Sequence, residues 1–223
     1  MKYSDQEHIM NTIKSYSTEL ACALNGYRAL VVPDLHNNQL PHWQSLWEQT
    51  IPRTSRIRLH DWHNADWVKW RNSIIASLIA IDEPVVLMAE GFGALAAASV
   101  AAEYPGKVIA AFLVDPADPD HFDVRKKIPK QLPVTTTIVV SGKPTDEANS
   151  YLALNWDTDF LQASSLEPES TGIFINYWPE GIQELNRLVS KVQRNFKNAS
   201  KIRARRTPSF LASRRQNLSL NYM

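Results

Sequence analysis

The sequence lacks several features that mark particular classes of protein. It has one cysteine, Cys22, which excludes an intrachain disulfide and a cysteine-based metal site. No apolar run approaches the roughly 20 residues that cross a bilayer. The first 20 residues carry early acids and no apolar core of a secretory signal. We therefore expect a cytoplasmic protein that does not bind membranes.

Acidic residues are absent from the end of the chain. After Glu184 there is no Asp or Glu but there are ten Lys and Arg residues, whereas the preceding part has 14 basic and 23 acidic residues. A basic C-terminal segment of this kind can dock on the acidic remainder of the same chain, bind another protein or bind nucleic acid. We favour the first two, because apolar residues interleave the cations at 208–211. The cations expected to contact a partner are Lys201, Arg203, Arg205, Arg206, Arg214 and Arg215.

Predicted strands and helices alternate along the 223 residues. This order predicts one α/β domain, a three-layer sandwich in which helices cover both faces of a mostly parallel sheet. We expect an N-terminal helical extension at 1–26, the domain at 27–198 and a basic tail at 199–223 that is extended or ordered only by docking. The predicted strands are 27–33, 55–60, 84–89, 107–116, 134–142 and a weak one at 159–166. The predicted helices are 4–22, 42–49, 64–81 with Asn64 as N-cap, 92–104, 145–156 and 179–196.

One stretch, VVLMAEGFGALAA at 85–97, has the layout of a nucleophile elbow. In such an elbow, G-x-S-x-G forms a sharp strand-to-helix turn that presents a catalytic serine. The five positions here read Ala89-Glu90-Gly91-Phe92-Gly93, so glycine stands in the serine's place. Glycine adopts the strained backbone of an elbow without steric cost, and Gly93 is expected to keep the helix close to the sheet. The Gly-x-Gly lacks the longer pattern of a dinucleotide site, and we expect no cofactor.

Five stretches together resemble one family of small single-domain serine hydrolases, which includes retinoblastoma-binding protein 9 and the bacterial YdeN-like proteins. They are VVPDLHNNQLPHWQSLWEQ, HDW at 60–62, VVLMAEGFGALAA, FLVDPADPD and NYWPEG at 176–181. The resemblance runs from about Ala29 to Gly181. It implies an α/β-hydrolase fold with a Ser-Asp-His triad in that chain order.

The resemblance places the triad on residues that cannot supply it. The serine position falls on Gly91, the acid position on Lys143, and the histidine position on Ser165 or Pro168. No histidine follows His121. The family's glycine-rich loop P-G-W-G-N-S is replaced by PDLHNN at 33–38, which would fill the acyl oxygen's space and bring a carboxylate to the oxyanion. We interpret the site as a vacated pocket formed by Asp34, Leu35, His36, Glu90, Gly91 and Phe92.

The leading interpretation is a catalytically inactive α/β-hydrolase-fold protein that binds a protein or a small ligand. One alternative is an active esterase with relocated residues, in which Asp34, His36 and Glu90 form a base or a metal site. We expect these three not to converge on a metal ion. The other alternative is a nucleic-acid-associated protein that acts through its basic tail.

Other polar and aromatic residues in the matched stretches have structural interpretations. We expect Asp118 to form a turn or cap, and His42 to cap or hydrogen-bond the first helix of the domain. Lys143 could pair with Glu90 or Asp34 across the vacated pocket. The tryptophans of the matched stretches, at 43, 47, 62 and 178, are expected to be structural.

Overall fold

The computed structural model describes residues 11, 14–15, 17–37, 42–140, 152, 156, 158–162 and 178–206 of the chain, with the backbone alone at 159–160 and 202–206. Within these ranges six strands form one sheet. They are β1 (Arg28–Val32), β2 (Thr54–Arg56), β3 (Val85–Glu90), β4 (Val108–Val114), β5 (Thr135–Val140) and β6 (Asp159–Gln162). The order across the sheet is β2-β1-β3-β4-β5-β6, and all five pairings are parallel. The predicted α/β sandwich with a parallel sheet is confirmed.

Helices cover both faces of this sheet. Besides helical residues at 17–23, the bounds are α1 (Trp43–Thr50), α2 (Trp67–Ala80), α3 (Gly91–Glu103) and α4 (Pro179–Arg206), with short 3-10 helices at Leu35–Asn37 and Arg125–Lys127. Side chains of α2 and α3 share one core cluster, whereas residues 20–24, α1 and α4 contribute to the other. The strands alternate between them: Leu87 belongs to the first cluster and Met88 to the second, as the two-residue period of a strand requires.

The second cluster is rich in indole rings. Trp47 stacks on Trp178 with ring centroids 5.6 Å apart, and Trp43 meets both rings edge-on. All three are at most 5 % exposed, and Trp62 packs partly buried against the other cluster. The prediction of structural tryptophans is confirmed. No helix in the described part of the chain is long and apolar enough to cross a membrane.

Several predicted boundaries were wrong. Helix α2 begins at Trp67, and its N-cap is Asp66, whose Oδ1 accepts hydrogen bonds from the backbone N–H of Val68 and Lys69 at 3.1 Å. Asn64 lies two residues too early to reach these donors. Strand β2 spans only Thr54–Arg56, and the last bond to β1 is the one that the N–H of Ile57 donates to the Val31 carbonyl at 3.0 Å.

The end of α4 also differs from the prediction. We expected residues after 198 to be extended or ordered only by docking, but the helix continues to Arg206. Residues 194–201 are helical although all are exposed. The segment 199–206, ASKIRARR, contains no glycine or proline and consists largely of good helix formers, so it extends a helix already nucleated on the body. The predicted helix at 145–156 lies mostly outside the described residues, within which Leu152 and Trp156 are helical.

Candidate functional site

The turn between β3 and α3 has the backbone of a nucleophile elbow. Strand β3 ends at Glu90 and α3 begins at the next residue, Gly91, with φ at 55°. A residue with a side chain adopts this left-handed φ only at a steric cost. The N–H of Ala117 donates to the Gly91 carbonyl at 3.1 Å, which ties the turn to the loop after β4. The elbow therefore keeps its shape although the residue at its centre has no side chain.

The carboxylate of Asp34 lies where a nucleophile's side chain would begin. A Cβ built on Gly91 would lie 2.0 Å from Asp34 Cγ, 2.1 Å from Oδ1 and 2.3 Å from Oδ2. Asp34 Oδ1 also accepts a hydrogen bond of 2.7 Å from the backbone N–H of Phe92. In an α/β hydrolase, the N–H of the residue after the nucleophile is an oxyanion-hole donor. Asp34 thus fills the nucleophile's space and engages one donor of the oxyanion hole.

The same contact gives α3 a cap. The first N–H groups of a helix have no partner within the helix and need one from outside it. The residue before α3, Glu90, does not supply one, because its side chain makes no capping bond. The Asp34 carboxylate supplies one and adds a negative charge at the positive end of the helix dipole. The Phe92 ring is buried among Trp67, Trp70 and Phe122, and the Phe92 N–H belongs to the first turn of α3.

Gly93 holds the Asp34 loop against the helix. A Cβ built on Gly93 would lie 2.0 Å from the backbone oxygen of Pro33 and 3.0 Å from a methyl group of Val32. Because a carbonyl oxygen of the backbone cannot swing away as a side chain can, only glycine fits here. The predicted role of Gly93 in bringing helix and sheet together is confirmed, and it positions Asp34 one residue after the contact.

A second carboxylate, Glu90, pairs with His42. His42 Nε2 lies 3.2 Å from Glu90 Oε2, while His42 Nδ1 accepts from the backbone N–H of Gln44 at 3.3 Å and caps α1. These bonds assign the ring proton to Nε2, which donates to Glu90, and they confirm the predicted capping role of His42. Burial raises the pKa of Glu90, and the charges of Asp34 and Asp115 add to the increase, against the hydrogen bond from His42, which lowers it.

His36, which we grouped with Asp34 and Glu90, lies beside His63 instead. His36 Nδ1 lies 2.8 Å from His63 Nδ1, and the His36 backbone N–H donates to the Trp62 carbonyl at 2.9 Å. These contacts connect the loop after β1 to the loop after β2. Leu35 packs partly buried against the first core cluster. In the described part of the chain, no group of three His, Cys, Asp or Glu side chains could hold a metal ion.

Sequence reasoning missed the partners of the acidic residues. It identified Asp34 and Glu90 but not the bonds that connect them to Phe92 and His42. These bonds depend on β1 and β3 being neighbours, which brings residues 33–42 to the elbow, and hydrophobic periodicity gave no signal for that order of strands. Asp118 forms the predicted turn, because its Oδ1 accepts from the Asp120 N–H at 2.9 Å.

Other predicted site residues lie partly or wholly outside the described chain. Lys143, Ser165, Pro168, Arg214 and Arg215 are outside it, and so is any ion pair of Lys143. Arg203, Arg205 and Arg206 are described by their backbone, which is helical, and Lys201 is exposed on α4.

Solved structures of other proteins share this fold. A YdeN-like hydrolase from Pectobacterium atrosepticum is 27 % identical, with a TM-score of 0.73 over 80 % of this chain and 98 % of its own. The ydeN gene product of Bacillus subtilis has a TM-score of 0.56 at 10 % identity, over 74 % of this chain and 99 % of its own, and shows the fold alone. Among curated proteins, no sequence matches the chain. The serine hydrolase family matches residues 29–187, most of the chain. The chain therefore belongs to the serine hydrolase family.

Proposed function

We propose that this chain is a catalytically inactive member of the serine hydrolase family that acts by binding a protein or a small ligand. The observation that carries the proposal is the position of Asp34. Its carboxylate takes the Phe92 N–H and occupies the space of a side chain at Gly91. A substrate carbonyl would meet a negative charge where an active enzyme supplies a hydrogen-bond donor and a nucleophile.

The other triad positions support the same conclusion. The sequence has lysine at the acid position, Lys143, and no histidine after His121. Removing one triad member already lowers hydrolase activity by several orders of magnitude, and the loss of all leaves only binding and the oxyanion hole. Here the oxyanion hole is engaged as well, since Asp34 accepts the Phe92 N–H.

One observation favours an active enzyme with relocated residues, namely the pair of His42 and Glu90. A histidine beside a carboxylate at the carboxyl ends of the strands has the composition of a general base. In this pair, however, Nε2 of His42 faces Glu90 and Nδ1 accepts from Gln44. Both ring nitrogens are therefore engaged, and neither is left to accept a proton from a nucleophile.

A labelling experiment tests the proposal. The purified chain is incubated with a fluorophosphonate probe and with p-nitrophenyl acetate, beside an active serine esterase and beside the Asp34→Ala and His42→Ala variants. We expect no stoichiometric labelling and no turnover above buffer, with Asp34→Ala also inactive because it frees a donor but adds no nucleophile. Stoichiometric labelling of a serine, with turnover that His42→Ala removes, would instead establish the relocated enzyme.

A further inference from the structure

An apolar groove lies at the end of the sheet opposite the elbow. It has a volume of about 260 Å³ and lies between α4 and the amino ends of β4 and β5. Its lining includes Val108, Ile109 and Val134 of the body and Val192, Phe196 and Ala199 of α4. This volume is below the range of ordinary small-molecule sites, but it suits one or two large apolar side chains of a partner.

The face of α4 that lines the groove changes from buried to exposed along the helix. Apolar residues recur at alternating spacings of three and four, at Ile182, Leu185, Val189, Val192, Phe196 and Ala199. The first four are at most 2 % exposed, whereas Phe196 is 52 % exposed. In the part of the chain that the structure describes, the body thus covers this stripe as far as Val192 and leaves Phe196 exposed beside the groove.

Positions 203 and 206 continue the same spacing, and both are arginine. Along α4, the apolar position at Phe196 is therefore followed by two arginines, about two and three turns further along the helix. No acidic residue occurs after Glu184, so this part of the chain contains no carboxylate to neutralise these arginines. The pattern is complementary to a ligand with a large apolar side chain followed by carboxylates.

We propose that this groove, with Arg203 and Arg206 at its end, binds an acidic segment of a partner protein that inserts a large apolar side chain beside Phe196. The inference does not depend on the loss of catalysis, because the groove and the elbow lie at opposite ends of the sheet. In a symmetric dimer this patch would face its own copy, which offers no Asp or Glu after Glu184 to pair with the arginines. Residues 207–223 carry two further arginines and no acid, so charge disfavours this segment as the occupant.

Helical geometry supplies a matched control. Arg194 and Lys197 are exposed on the same helix, but at 100° per residue they lie on the face opposite Val192 and Ala199. Arg203→Glu/Arg206→Glu and Arg194→Glu/Lys197→Glu change the net charge equally. A non-specific electrostatic attraction responds to both pairs, whereas the groove responds to the first.

The test uses the full chain and fluorescence anisotropy at low and moderate salt. The probes are a helical 15-residue peptide of leucine and glutamate, the same peptide with lysine for glutamate, a 20-base-pair duplex DNA, an RNA of random sequence, and phosphatidylserine vesicles. We expect micromolar binding of the glutamate peptide alone. Phe196→Ala and Arg203→Glu/Arg206→Glu should each weaken it about tenfold or more, and the opposite-face pair less than about threefold. Thermal melts check that each variant is folded.

Each alternative occupant gives a different result, and each would overturn the proposal. Binding of DNA, RNA or vesicles that both charge pairs weaken equally indicates a polyanion. A chain ending at Arg206 that binds the peptide tenfold tighter indicates that residues 207–223 fill the groove. A concentration-dependent dimer in sedimentation, abolished by Phe196→Ala, indicates a second copy. Peptide binding unchanged by Phe196→Ala shows that the groove takes no part.

Discussion

The substitution Gly91→Ser tests whether Asp34 holds the nucleophile's place. Because a Cβ at position 91 would lie 2.0 Å from Asp34 Cγ, the Asp34 side chain must move away and give up its bond to Phe92. Losing a hydrogen bond to a charged group costs about 1.5–3 kcal/mol. A left-handed φ adds about 1–2 kcal/mol for a residue with a side chain. We expect the free energy of unfolding to fall by about 2.5–5 kcal/mol.

Asp34→Ala separates these two contributions. By itself it loses the bond to Phe92 and costs about 1.5–3 kcal/mol. In the double variant this bond is lost only once and the serine side chain meets no carboxylate. The double variant should therefore cost no more than Gly91→Ser alone, which corresponds to a coupling energy of about 1.5–3 kcal/mol between the two sites. We expect neither variant to gain esterase activity, because no histidine follows His121 in the sequence.

The assay is urea unfolding of the four chains, followed by tryptophan fluorescence. Gly106→Ala is the control, since a Cβ built at position 106 would have no other atom within 4 Å and Gly106 lies outside the loop that carries Asp34. Its cost should add to that of Asp34→Ala within about 0.5 kcal/mol. A cost below about 1 kcal/mol for Gly91→Ser, or costs that simply add with Asp34→Ala, would refute the placement of the carboxylate.

Two further predictions concern Glu90 and the cap of α2. Burial raises the pKa of Glu90, so the folded chain holds this proton to higher pH than the unfolded chain and loses stability as pH rises through the raised pKa. Urea midpoints should show Glu90→Gln gaining stability relative to the wild type as the pH rises above 4.5, the ordinary pKa of a glutamate. A stability difference that does not change with pH contradicts this. Asp66→Ala should cost about 1 kcal/mol through the lost cap, while Asn64→Ala, which leaves both capping bonds, should cost little; equal melting temperatures for the two variants contradict the assignment.

The sheet and its covering helices could be predicted because their signals are local. Strands buried on both faces read as apolar runs, as in VVLMA at 85–89. The ends of helices are harder to predict from sequence. Asn64 and Asp66 are both good N-cap residues, and only the backbone conformation decides between them. The continuation of α4 beyond 198 was missed because the residues there show little apolar periodicity, whereas helix propensity sustains the helix over exposed residues.

The site was predictable as a set of positions but not as a set of bonds. Gly91 and Asp34 could be recognised as departures from the family's motifs in each stretch. Their contact joins residues 57 positions apart in the sequence and depends on the close approach of Gly93 to Pro33. The pairing of His42 with Glu90 likewise depends on β1 and β3 being neighbours. Such contacts follow from the order of strands, which periodicity alone does not give.

The elbow keeps its left-handed turn at Gly91 for reasons that need no catalysis. Helix α3 must begin immediately after β3, Gly93 must touch Pro33, and the first N–H groups of the helix need a partner. Asp34 meets the last requirement with a bond of 2.7 Å to Phe92. Packing and capping therefore constrain this turn even if, as proposed, the chain does no chemistry. A motif resembling an elbow consequently identifies the fold, whereas the side chains at positions 34 and 91 decide the chemistry.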